Sequence, residues 1–386
     1  MNNKVYVVRC PDYESTEDKL RELFEMMGGI ARFAAPGEKI ILKVNLLRAA
    51  KPEEAVSTHP AVARGVARIV KEAGAAPVIA DSPGAGSKYD QKTLSKVYRA
   101  CGMDKAAEEA GVEVNLDTSY RAVSYPEGSL IKHFEIIDPV IKADGVFNLC
   151  KLKTHLFTRI TGAVKNSFGV IPGLSKPGYH AKLRDTGRFA NMLLDLDRYV
   201  SPRISIMDAV VAMEGEGPGA GDPRRIGLLL ASESALALDV VASEIIGLPR
   251  EKNPVLVEAE KKDYHPNHIN DVDVLGAELL EIKISDFKFP ATMLEGDGLG
   301  PMAWWERAFK PIIKPGMSVK PRVIKDKCVA CGACHEACPM NAITLVDQEY
   351  ARIDDKECIR CYCCHEMCPN DAIELHRGLL YRMMHG

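Results

Sequence analysis

Long apolar runs, an excess of basic residues and an export signal are all missing from this chain. No stretch of about 18 uncharged apolar residues occurs, so no membrane-spanning helix is expected. Fifty basic residues stand against 53 acidic ones, a formal net charge of −3. That balance lacks the basic surplus needed to hold a phosphate backbone, which excludes a general nucleic-acid binder. The N-terminus, MNNKVYVVRC, runs directly into a strand pattern without the apolar core of a signal peptide. A soluble cytoplasmic protein is therefore expected. No G-x-x-x-x-G-K-[ST] phosphate loop is present; Gly84-Ala85-Gly86-Ser87-Lys88 has the wrong spacing. With 386 residues, 46% of them hydrophobic, the chain can fill a large core and divides into two or three domains.

Cysteine is also scarce for most of the length. Only Cys10, Cys101 and Cys150 occur in the first 320 residues, and scattered single cysteines act as small buried hydrophobes. Nine of the twelve then crowd between Cys328 and Cys368. Without an export signal such a set reads as metal ligation rather than a disulfide framework.

The crowded cysteines form a repeat. Cys328-x-x-Cys331-x-x-Cys334-x-x-x-Cys338-Pro339 returns thirty residues on (358 against 328) as Cys358-x-x-Cys361-x-x-Cys364-x-x-x-Cys368-Pro369. Two-residue gaps let a tight loop present three thiolates to one cubane, while the fourth cysteine points to the other cluster. The spacing thus predicts two [4Fe–4S] clusters. Cluster I takes Cys328, Cys331, Cys334 and Cys368; cluster II takes Cys358, Cys361, Cys364 and Cys338. Zinc, the competing metal, prefers isolated tetrahedral sets such as paired C-x-x-C knuckles. Cys363 falls between ligands and reads as a non-ligating thiol. The segments Ala342–Leu345 and Tyr350–Ile353 look like small hairpin strands that shield the clusters. The pattern resembles the bacterial two-cluster ferredoxin over about 50 residues, with every ligand present.

Residues 1–286 alternate strand-like and helix-like patterns. Strands are expected at Lys4–Cys10, Lys39–Leu46, Ala76–Asp81, Val112–Leu116, Gly145–Leu152, Arg203–Val211 and Arg225–Ala231. Helices are expected at Thr16–Phe33, His59–Ala73, Gln91–Gly111, Arg188–Tyr199 and Ser234–Gly247. The fold class is α/β: a large N-terminal domain with a mostly parallel sheet, a linker over 287–320, and a small α+β ferredoxin-like domain over 321–386.

In such sheets ligands bind beyond the carboxyl ends of the strands. There, Lys43 and Asn45 share a side, Asp81 ends the third strand, and Lys151, Lys153 and His155 share one face by period two. Helical spacing groups Thr158, Thr161 and Lys165, with Asn166 beside them. Buried lysines want partners, so an anionic small molecule, phosphate or carboxylate, is one reading; a solvated loop is the other. A glycine-rich loop, Met213 to Asp222, follows the strand that carries Asp208. It brings Glu214 and Glu216, and could close on a ligand or be a plain surface turn. Its Gly215, Gly217 and Ala220 match G-x-G-x-x-A formally, but Pro218 and Pro223 prevent the helix that a dinucleotide site requires. His59 and His180 stand alone in polar loops.

The ordered series Lys43-x-Asn45, Thr58-His59-Pro60, Asp81-Ser82-Pro83, Asn148-x-x-Lys151-x-Lys153-Thr154-His155, Thr161-Gly162-x-x-Lys165-Asn166-x-x-Gly169, Asp208, Glu214-Gly215-x-Gly217-Pro218 and Asp239 resembles the domain-of-unknown-function 362 family. Members often carry a C-terminal two-cluster ferredoxin module. The resemblance implies an iron–sulfur protein and adds neither substrate nor reaction.

Three functions remain open at this level. One is an oxidoreductase in which Lys43, His155, Lys165 and Glu214 act on an anion, with Asn45, His59, Asp81, Lys151, Lys153, Thr161, Asn166 and Asp208 binding it. A flavin would assist hydride chemistry, yet no motif declares one. The second is a ferredoxin-type carrier docking on a redox partner protein. The third is a lysine- and acid-based lyase or isomerase with structural clusters. From Arg307 to Lys327 seven basic residues face one acid, Asp326, beside Trp304 and Trp305. That stretch is either a tether or a docking surface for an acidic partner or anionic membrane.

Overall fold

A computed structural model describes residues 3–294 and 319–377. The tryptophan pair, the linker prolines Pro301, Pro311 and Pro315, and the start of the basic stretch lie outside the described residues.

Nine strands form the main sheet: β1 (Lys4–Arg9), β2 (Lys39–Lys43), β3 (Ala76–Ala80), β4 (Glu113–Val114), β7 (Gly145–His155), β8 (Arg159–Ile160), β9 (Ile204–Glu214), β10 (Asp222–Ser232) and β11 (Asp273–Gly276). A separate hairpin, β5 (Tyr120–Ser124) with β6 (His133–Ile137), lies off the sheet. The order is β11-β1-β10-β9-β7-β2-β3-β4, with β8 paired to β7. Pairings from β4 through β3, β2 and β7 to β9 are all parallel, and only β10 and β8 run against the rest. The expected mostly parallel sheet is therefore what forms.

Its central strands are buried along almost their whole length because both faces are covered. Alternation along β2 sends Ile41 to one face and Ile40 and Leu42 to the other. Helices Thr16–Met26, Pro60–Glu72, Gln91–Ala100 and Met103–Ala110 cover one face. Gly162–Asn166, Thr186–Val200, Ala235–Ile245 and Pro254–Lys261 cover the other.

Some boundaries differ from the sequence expectation. The first helix stops at Met26, ahead of Gly28 and Gly29, which sit at φ +91° and +92°. The single helix expected over Gln91–Gly111 is two, separated at Gly102. β7 runs on to His155, three residues beyond the expected end.

The C-terminal region is a small α+β unit. β12 (Val319–Val323) pairs antiparallel with β15 (Ile373–Arg377), and β13 (Ile343–Val346) with β14 (Tyr350–Ile353). Short helices span Ala333–Glu336 and Cys363–Met367. This unit lies over the carboxyl ends of the sheet strands. Gly86 approaches so closely that a Cβ there would stand 2.5 Å from Ala337 Cα, and its φ of +85° already excludes most side chains. A Cβ on Gly219 would stand 2.6 Å from the Glu366 carbonyl.

Candidate functional site

Two cavities of about 20 Å³ each lie inside the C-terminal unit. Cys328, Cys331, Cys334 and Cys368 line the first; Cys338, Cys358, Cys361 and Cys364 line the second. These are the two quartets expected from the repeat, with Cys338 and Cys368 exchanged between halves. Backbone N–H groups are aimed at the sulfurs: Ala342 donates to Cys338 Sγ at 3.3 Å, Ala372 to Cys368 Sγ at 3.2 Å, and Ala351 to Cys328 Sγ at 3.4 Å. Apolar neighbours such as Ile343, Ala351 and Ile373 close the unit. Burial, reinforced by the neighbouring Cys368, Cys331 and Cys328, pushes the Cys334 thiol up to about 11. A thiolate here needs a cationic centre beside it, which suits an iron–sulfur cluster. Cys363 lines neither cavity; it is fully buried in a cluster with Ala85, Ala337 and Cys361.

A third cavity, about 50 Å³, lies beyond the carboxyl ends of β2, β3 and β7. Asn45, Asp81, Lys153, Thr161, Lys165 and Asn166 line it, as the strand-end rule led one to expect. The amides form a chain: Asn45 Nδ2 donates to Asn166 Oδ1 at 2.9 Å, and Asn166 Nδ2 to Asn148 Oδ1 at 2.7 Å. Asp239 fixes the helix bearing Lys165 and Asn166 by accepting from the backbone of Ala163 and Val164 at 2.5 and 3.1 Å. Burial pushes the Asp239 carboxyl up to about 8.

Lysines at this end of the sheet differ in their partners. Lys43 lies below the cavity, 2.8 Å from Asp81, and each side chain is only 1% exposed. Gly169 allows the pair to sit there, since a Cβ would collide with both charged ends. Lys153 Nζ donates to the Val56 carbonyl at 2.5 Å and the Pro218 carbonyl at 3.4 Å. Lys165 is partly exposed and makes no hydrogen bond or ion pair among the described residues; its Nζ lies 5.8 Å from the centre of the Phe168 ring. Burial lowers the pKa of Lys165, with Glu366 opposing the shift.

Sequence reasoning missed two contributors, Lys176 and Glu366, and left His180 unplaced. Lys176 Nζ donates to the Ser82 carbonyl at 2.6 Å, and burial brings its pKa to about 7. His180 stacks on Phe189 with centroids 4.5 Å apart, and burial lowers it to about 3. Glu366 reaches down from the helix between Cys364 and Cys368. Burial raises it to about 7, with Lys165 and Lys153 pulling the other way. His155 Nδ1 accepts from Phe157 N–H at 3.0 Å, which leaves the proton on Nε2, 3.4 Å from Glu366 Oε1. A lysine before a proline (Lys176-Pro177) and an acid between cluster cysteines carry no periodic signal.

Four expectations are corrected. Lys151, Lys153 and His155 do not act together: the ladder of β7 on β9 shifts register between Lys151 and Lys153. Lys151 instead bonds Asp208 at 2.8 Å and Tyr13 Oη at 3.0 Å. His59 joins that network, donating its N–H to Asp208 at 2.9 Å and stacking on Tyr13. So Lys151, Asp208 and His59 form a separate, internally satisfied cluster. Thr158 and Thr161 precede the helix rather than ride on it, because that helix begins at Gly162. Glu214 turns away, accepting from Lys288 N–H at 3.1 Å. The glycine-rich loop is pinned, not free: Arg48 Nη2 donates to the Gly219 carbonyl at 2.8 Å.

Comparison with known proteins agrees with this layout. Residues 40–244 match the family model "Domain of unknown function (DUF362)", and residues 321–344 match "4Fe-4S binding domain". A thylakoid-associated protein of Synechocystis sp. is 33% identical over 301 residues, covering 77% of this chain and 91% of that protein. A ferredoxin of Acetoanaerobium sticklandii is 57% identical over 28 residues, 7% of this chain and 50% of that one. The lactate racemase apoprotein of Thermoanaerobacterium thermosaccharolyticum superposes at TM-score 0.42 and 12% identity over 64% of this chain and 58% of that one, under two thirds of its length. Among the described residues no helix is long and apolar enough to cross a membrane. The protein binds iron–sulfur through its C-terminal cysteines, and over most of its length it belongs to the DUF362 family.

Proposed function

We propose that this chain is a cytoplasmic two-cluster iron–sulfur oxidoreductase that moves electrons between a redox partner protein and a small anion bound at the strand ends. Two [4Fe–4S] clusters, one per cysteine quartet, would supply one-electron transfer. One observation carries the reading: Ala85 lines the strand-end cavity and also belongs to the buried cluster that holds Cys361 and Cys363. The second quartet and the cavity are thus separated by little more than one small side chain. The first quartet lies on the other side, with Cys331 exposed and Val329 65% exposed, which suits contact with a partner.

The chain's own residues have defined parts in this reading. Backbone N–H groups of Ala342, Ala372 and Ala351, donating to Cys338, Cys368 and Cys328, stabilise negative charge on the sulfurs. Lys165, which makes no hydrogen bond or ion pair among the described residues, attracts the anion and stabilises charge that grows on it during reduction. The Asn45–Asn166–Asn148 chain keeps the floor rigid.

Redox titration of the anaerobically prepared protein tests the coupling without knowledge of the substrate. A positive charge beside a cluster favours its reduced, more negative form. Lys165→Met is expected to lower the midpoint potential of one cluster while iron content stays unchanged. Two potentials identical to wild type would overturn the proposal.

A further inference from the structure

Resting on the reading above, we infer that the strand-end cavity accepts a planar monoanionic oxyanion group of three or four heavy atoms, a carboxylate or its like, with Lys165 as counter-charge and Thr161 as hydrogen-bond donor.

Charge comes first. Lys43 is matched by Asp81 at 2.8 Å, and Lys151 by Asp208 at 2.8 Å. Lys153 and Lys176 already donate to backbone carbonyls. Among the described residues Lys165 alone of these makes neither a hydrogen bond nor an ion pair, although the Glu366 carboxyl lines the same cavity and acts on it electrostatically, which favours a singly charged anion over a dianion. Asp81 and Glu366 line the same space, and a dianion would meet their carboxyl groups at close range. Among the described residues no arginine lines the cavity to offer the forked pair of donors that phosphate sites favour.

Polar complementarity comes next. Thr161 Oγ1, Asn45 Oδ1 and His180 Nδ1 are buried and lack hydrogen-bond partners among the described residues. Their side chains are 3%, 8% and 3% exposed. With Glu366 Oε1, which shares the condition, four such atoms around one small cavity leave a polar deficit that a ligand relieves. The Thr161 hydroxyl can donate to one ligand oxygen while Lys165 pairs with the other. Asn45 Oδ1 accepts from any hydroxyl that the ligand carries.

Size sets the limit. About 50 Å³ holds roughly three or four water-sized groups. So small a space favours the three heavy atoms of a carboxylate over the five of phosphate. The group is either a free one-carbon oxyanion or the head of a longer acid whose tail leaves the cavity.

Calorimetric titration of the full-length, anaerobically prepared protein with sodium formate, sodium butyrate and sodium phosphate separates these cases. Saturable binding of formate but not butyrate means a free one-carbon oxyanion; butyrate binding at least as tightly means a carboxylate head. Either supports the inference when Lys165→Met weakens binding about tenfold or more and Thr161→Val weakens it several-fold. Lys165 makes no hydrogen bond to lose, so its variant is expected to fold, and circular dichroism of both variants checks this. No saturable binding of either acid, phosphate binding as well as they do, or affinity unmoved in both variants overturns it. Because calorimetry reads binding alone, carboxylate binding with unshifted cluster potentials in Lys165→Met sinks only the electron-transfer proposal. Shifted potentials without carboxylate binding sink only this one.

Discussion

The two cysteine motifs share one backbone and meet opposite surroundings. Equivalent positions adopt left-handed conformations in both copies: Ala330 and Arg360, Gly332 and Tyr362, Asn341 and Asp371. Yet Cys331 is exposed, whereas its counterpart Cys361 is buried. Around the first copy the surface offers Val329 and Leu345 to solvent. Around the second, the helix Cys363–Met367 is pressed onto the α/β domain, where Met367 joins an apolar cluster with Leu47 and Met213. Tyr362 holds a left-handed backbone at φ +63° where the first copy uses glycine, a conformation costing roughly 1 kcal/mol or more. Its buried hydroxyl donates to the Val319 carbonyl at 3.1 Å. A duplicated module has thus been specialised by its neighbours, one half open and one half closed over a site.

That contrast can be tested by substitution. The largest effect is expected from the ligands themselves. Cys361→Ser and Cys331→Ser should each lose about half the iron, since each opens one quartet. Cys363→Ser should lose none. Equal iron in all three, measured against chain concentration, would dissolve the distinction between ligand and bystander.

The next effect separates the paired lysine from the unpaired one. Lys43→Met leaves the Asp81 carboxyl buried without its cation and should cost about 3–5 kcal/mol. Lys165→Met removes a charge with no ion pair among the described residues and should move the urea midpoint little, by the equivalent of about 0.5 kcal/mol. Similar losses in both would mean that Lys165 is structural after all.

A smaller effect concerns the contact between the two regions. Gly86→Val forces a branched side chain into a left-handed backbone against Ala337, a cost of about 1–3 kcal/mol. Limited proteolysis should then release the C-terminal unit faster than in wild type. An unchanged digestion rate would argue against close apposition there.

Much of this layout was legible in the sequence. The eight cysteines and their exchange follow from spacing alone, because three thiolates on one loop must meet one cubane. β2 and β7 were expected as strands, the strand-end rule led to Asn45, Asp81 and Lys153, and helical spacing grouped Thr161 with Lys165 and placed Asn166 beside them. The partners of Lys43 and Lys151 were not legible. They come from β3 and β9, which neighbour β2 and β7 only in the folded sheet order. The register shift in β7 also broke the simple period of two. Glu366 could not be assigned to the cavity, since nothing in the linear chain says that a cluster helix will cover the ends of β2, β3 and β7, more than 200 residues upstream of it. The helices Lys176–Lys182 and Pro254–Lys261 and the hairpin of β5 and β6 were missed because short or turn-rich segments give little periodicity.

Iron and acid-labile sulfide per chain, determined on anaerobically purified protein, test the central claim most directly. Two reciprocal quartets require about eight of each. About four of each, or zinc in their place, would contradict it, and the electron route through the second motif to the strand-end cavity would fall with it.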